Sequence, residues 1–109
     1  MHTIFDEDRA APGRLAEHPN GLDEVRALAP AFLPEGVTEA CGIPAPEIRR
    51  IARELAGAPR AAVYGCIGTC TQEFGTLASW LVDVLNFLTG NLDEPGGAMF
   101  ARAAAGQAK

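Results

Sequence analysis

The most restrictive feature of this 109-residue chain is the run from Phe74 to Leu88. Phe74, Leu77, Ala78, Leu81, Val82, Val84, Leu85 and Leu88 are apolar, and Trp80 and Phe87 fill further around the wheel. Against them stand only the polar Thr76, Ser79, Asp83 and Asn86. The spacing predicts a helix over 72–88, and a helix apolar on most sides has to be covered on most sides. At roughly 17 residues, with Asp83 inside it, it is too short and too polar to span a bilayer. It therefore reads as the central helix of a body with more than one layer.

What precedes this helix is equally patterned. Ala61 to Tyr64 is short and apolar between Pro59 and Gly65, which predicts a buried strand near 60–65. A glycine-punctuated polar loop, 65–73, joins it to the helix. Strand, glycine loop and helix together aim backbone N–H groups and a helix N-terminus at a ligand, preferably an anionic one. Because this loop leaves the C-terminal end of a strand, it is placed where open α/β sheets bind ligands.

The helix is followed by the turn Asp93-Glu94-Pro95-Gly96-Gly97 and an alanine-rich tail, for which fraying is expected. Upstream, Leu22 to Ala29 reads as a helix with Leu22, Val25 and Leu28 on one side. Pro34 to Cys41 is a second, opened by Pro34 and closed by Gly42, and Pro46 to Ala56 a third, with Ile48, Ile51, Ala52 and Leu55 as its buried stripe. Residues 1–21 are polar and turn-rich, with a short helix expected between Thr3 and Ala10, and acids 6–8 on a solvated face. The organisation expected is thus a polar segment 1–21, a folded segment 22–97 and a flexible tail 98–109.

Charge excludes one class of partner. The net charge is −5 and the nine Lys and Arg residues are dispersed, so there is no basic footprint for nucleic acid. The helix–glycine turn–helix pattern of 34–57 also occurs in DNA-binding units, but in an acidic domain it reads as a packing unit. No membrane-spanning stretch is present. Three cysteines, Cys41, Cys66 and Cys70, without a secretory signal point to a reduced, cytoplasmic compartment and no disulfide framework.

The loop carries most of the chemistry that the chain has to offer. Gly65-Cys66-Ile67-Gly68 is neither a dinucleotide fingerprint nor a Walker loop, and its glycines could serve simply as a tight exit from the strand. Thr69, Thr71 and Gln72 add polar groups with reach. Cys66 and Cys70 have three residues between them, with Cys41 as a third thiol and no convincing fourth ligand, so no metal site is expected. Either cysteine could be a small buried hydrophobe or a thiol activated at a helix N-terminus. His2 and His18 read as surface histidines. No nucleophile, base and orienting group can be assembled, so no catalytic site is expected within the chain.

Several blocks, taken in order, resemble a known family. Val63 to Gly75 followed by Leu85 to Gly97 is similar to an internal stretch of the molybdopterin oxidoreductases, which include formate dehydrogenases, nitrate reductases and dimethyl sulfoxide reductase. The similarity continues upstream through Gly21 to Arg26, Pro34 to Val37, Cys41 to Ile43 and Ile48 to Ala56, covering roughly residues 20 to 100. The resemblance implies an α/β fold: a mostly helical fragment with one short buried strand, part of a Rossmann-like domain enclosing bis-molybdopterin guanine dinucleotide with molybdenum or tungsten. The loop resembles a Gly-Met-Gly-x-x-Gln pattern that touches the pterin, with Ile67 at the Met, Gly68 at the second Gly and Gln72 at the Gln. It is one residue longer between Gly68 and Gln72 than that pattern. The implied cofactor contacts are Gly65, Ile67, Gly68, Thr69 and Gln72.

The family's cysteine cluster and metal-ligating side chain are not matched in these residues. The resemblance therefore implies a segment of a catalytic subunit, whether fragment, split gene product or truncation. Such a segment would supply cofactor contacts and scaffold, with no turnover of its own, and its partner would be the remainder of that subunit. By itself it is expected to expose an apolar patch near Trp80 and Phe87 and to self-associate. The alternatives are a small helical protein-interaction module without cofactor, and a small thiol protein using Cys66 or Cys70.

Overall fold

The computed structural model describes residues 1–100. These are mostly helical: α1 (His2–Asp6), α2 (Leu22–Leu28), α3 (Pro34–Cys41), α4 (Ala45–Gly57), α5 (Ile67–Cys70) and α6 (Gly75–Leu88), with 3-10 turns at Gly13–Leu15 and Ala29–Phe32. The part of the tail at 101–109 lies outside the described residues.

The expected helices form close to their sequence signals. Pro34 opens α3, and Gly42 closes it in a left-handed conformation. Pro44 sits extended before α4, whose first turn holds Pro46. Pro30 does not end the first long helix cleanly. It opens the 3-10 turn that continues it to Phe32. The central helix begins at Gly75 rather than near 72, because residues 67–70 form their own helical turn, α5, and the chain bends between the two.

The far end of α6 is closed by a Schellman motif. The Asn91 N–H donates to the Asn86 carbonyl at 2.8 Å and the Gly90 N–H to the Phe87 carbonyl at 3.0 Å. Gly90 supplies the left-handed residue, φ 69°, that this closure requires.

The predicted strand does not form. Residues 61–66 take no regular secondary structure, and among the described residues no strand lies beside them. Their main-chain groups are taken up by two carboxamides instead. Asn86 accepts from the Val63 N–H at 2.8 Å and donates to the Val63 carbonyl at 2.8 Å. Asn91 accepts from the Ala61 N–H at 3.0 Å. The Asn86 side chain thus makes the pair of bonds that a facing residue makes in a hydrogen-bonded antiparallel pair. Nor is the segment buried on both sides: Ala61, Val63 and Gly65 are half-buried, while Ala62, Tyr64 and Cys66 are exposed. Among the described residues one β-bridge, parallel, joins Leu92 to Ala98.

The buried set is small. Among the described residues, Ile4, Ala29, Pro34, Ala45 and Leu88 are the buried apolar side chains, accompanied by Thr3, Asn86 and Asn91. The amino-terminal stretch contributes Ile4 at zero exposure, and α1 packs on α4 and on the 3-10 turn after α2. Among the described residues, helix α6 is only partly covered: Leu77 and Trp80 remain about half exposed, at 50% and 47%. In α4 the expected stripe is only partly covered, with Ala52 and Leu55 half-buried and Ile51 exposed.

Ion pairs tie the helices together. Arg49 makes a bidentate pair with Glu35, at 2.6 and 2.8 Å, linking α4 to α3. Arg53 reaches Glu7 at 2.7 Å, and Arg50 pairs with Glu47 and with Glu54 on its own helix. Glu7 therefore belongs to a cross-link rather than to a solvated face. Arg26 stacks 5.0 Å over the Phe5 ring.

Two expected outcomes follow from these contacts. Asn86→Ala strands the partly covered N–H and C=O of Val63, so urea unfolding followed by Trp80 fluorescence should show a loss of about 1–3 kcal/mol. The hydrogen bonds from Arg53 and then Arg9 hold the Glu7 carboxyl down at about 2, from an ordinary 4.5. A depressed carboxylate pKa gives stability that is present above the unfolded value and disappears as pH falls through the folded one. The contribution of Glu7 should thus fade between pH 4.5 and about 2, and Glu7→Gln should flatten that part of an acid-unfolding curve.

Candidate functional site

The segment 63–75 is built outward from Asn86. With Val63 pinned, Gly65 faces inward, and a Cβ there would meet Thr69 Oγ1 at 3.3 Å and Val82 Cγ2 at 3.5 Å. Cys66 is extended, φ −99° and ψ −175°, and its carbonyl accepts the Thr69 N–H at 2.8 Å as α5 begins. The turn then satisfies its own carbonyls. Thr71 Oγ1 donates to the Ile67 carbonyl at 3.1 Å, and Gln72 Nε2 donates to the Gly68 carbonyl at 3.0 Å.

The passage from α5 to α6 depends on close packing at Gly75. A Cβ at this position would overlap the carbonyl of Cys70. Ser79 Oγ lies 3.4 Å from Cys70 Sγ and donates to the Gly75 carbonyl at 2.9 Å, adding a link between the two helices.

The five candidate contacts consequently separate. Ile67, 80% exposed, and Gly68 lie on the outer side, where a Cβ at 68 would meet nothing within 4 Å. Tyr64, 84% exposed, is also uncovered. Gly65 and Thr69 lie on the inner side and pack against each other. The Gln72 amide is engaged with the loop's own carbonyl instead of reaching outward. Cys66 and Cys70 are exposed free thiols, which removes the reading of either as a small buried hydrophobe.

No charged side chain occurs between residues 61 and 72. The groups held away from their ordinary pKa lie elsewhere: hydrogen bonds from arginines depress Glu7, Glu35 and Glu47, and the carboxylates raise Arg49, Arg50 and Arg53. The loop can offer main chain, apolar surface and small polar groups to a ligand. General acid–base chemistry is not what its residue types supply.

Among the described residues, no three His, Cys, Asp or Glu side chains gather around a point where a metal could sit. No helix of the described residues is long and apolar enough to cross a membrane. An apolar cleft elsewhere is lined by Val25, Leu28, Phe32, Leu77, Trp80 and Leu81, between the α2 region and α6.

Two residues that fix the loop have no counterpart in the sequence-derived set: Asn86, fully buried, and Asn91. The available signal was a lone carboxamide in the last turn of a mostly apolar helix. Gly75 is the third; its signal was a glycine at the start of a strong helix.

Substitution should distinguish the inner from the outer glycines. Gly75→Ala forces the α5–α6 junction apart and should cost about 1–3 kcal/mol, whereas Gly68→Ala should be neutral or mildly stabilising, as read by thermal unfolding.

Comparison with known proteins connects this geometry to a family. No protein-family profile matches the chain. Formate dehydrogenase H of Escherichia coli K12 is 32% identical over 94 residues, which is 86% of this chain and 13% of that protein. The F420-dependent formate dehydrogenase 2 subunit alpha of Methanococcus maripaludis is 30% identical over 93 residues, 85% of this chain and 14% of the relative. The periplasmic nitrate reductase of Desulfovibrio desulfuricans is 28% identical over 83 residues, 76% and 11%. A match of 83 residues or more in a chain of 109 leaves out at most 26, so each match has to run through residues 65–72. The chain spans about 13% of the length of the first of these relatives. It belongs, as one segment, to the molybdopterin oxidoreductases of the formate dehydrogenase and nitrate reductase type.

Proposed function

We propose that this chain is part of the α/β, Rossmann-like domain with which a molybdopterin oxidoreductase encloses its cofactor, and that the outer side of residues 64–68 lies against bis-molybdopterin guanine dinucleotide. The observation that carries this reading is the open space at Gly68, on a loop through which all three matches pass.

The residues fit such a group in a specific way. The absence of a side chain at Gly68 lets a flat ligand approach the main chain. Ile67 and Tyr64 offer apolar surface beside it. Gln72 now holds the Gly68 carbonyl, and it would meet the ligand only by exchanging that bond. Gly65 and Thr69 act from behind, as the packing that fixes the turn. When bound, the cofactor supplies two-electron redox or oxygen-atom transfer at its metal, and this segment supplies orientation and exclusion of water. The remainder of the catalytic subunit is the partner, and the half-exposed Leu77 and Trp80 are the surface it would cover.

In the complete subunit carrying this segment, Gly68→Val should lower the molybdenum content per protein. Gly36→Val, at another helical glycine with open space around it, should leave the content unchanged. Because nothing in the fold opposes a side chain at 68, a loss there reports on the cofactor and not on folding. Equal metal loading in wild type and Gly68→Val would overturn the assignment.

A further inference from the structure

We draw no further inference here: the strongest candidate, the apolar cleft between the α2 region and α6 lined by Leu28, Phe32, Leu77 and Trp80, is the face already assigned to the remainder of the subunit, and nothing in the structure shows what covers it.

Discussion

The arrangement of this chain depends on one buried carboxamide. Asn86 has no exposed surface, and its side chain makes three hydrogen bonds: from Val63 N–H, to Val63 C=O, and to Val82 C=O at 3.1 Å. A leucine in its place would extend the apolar face of α6 and leave the segment before the loop with nothing to hold it. The polar residue costs the helix some burial and in return fixes the position, direction and register of residues 61–65. The turn at α5 and the open side of Gly68 inherit their placement from that constraint. Asn91, three residues beyond the end of the helix, holds the segment again two residues back, at the Ala61 N–H.

The electrostatics are arranged on the other half of the molecule. Arg49, Arg50 and Arg53 stand on one helix of a helix–turn–helix pattern, which in isolation resembles a reading head for a polyanion. Each is paired with glutamates: Arg49 with Glu35, Arg53 with Glu7, and Arg50 with Glu47 and Glu54. Pairs of this kind contribute little stability individually at a surface. Their effect is to neutralise the basic side chains and to orient α3 and α1 on α4. The uncharged loop and the charged scaffold are thus separate regions, and the pKa perturbations report on the scaffold alone.

The helices were legible in the sequence because their signals are local. Proline at the start of α3, glycine past its end and the apolar spacing of α4 and α6 each act within a few residues. The paired role of the loop was legible only in part. Gly65 and Gly68 look alike in sequence, yet one packs closely on Thr69 and Val82 behind it and the other faces open space. That difference is a matter of which way the chain turns, and the turn is set by residues 20 positions downstream. The strand was misread for the same reason. An apolar run between Pro59 and Gly65 is what a strand looks like, but strand pairing needs a second backbone, and here side-chain amides take that place. The apolar periphery of α6 implied a cover without saying where that cover lies, and Leu77 and Trp80 remain about half exposed.

The contacts between the amino-terminal stretch and the end of α6 bear on the order in which the molecule assembles. The Ala11 N–H donates to the Leu88 carbonyl at 2.8 Å, and Arg14 binds Asp93 across a sequence separation of 79 and also Glu94 at 2.8 Å. Closing so long a loop costs chain entropy that two or three exposed polar contacts do not recover unless the intervening chain is already compact. Within that span the α3–α4 hairpin needs no distant partner, and the Val63–Asn86 pair closes a separation of only 23. The clasp at residues 11–14 is therefore a late event in folding. It can open on fluctuation while α1, anchored by the buried Ile4, and the loop with its two asparagines stay in place.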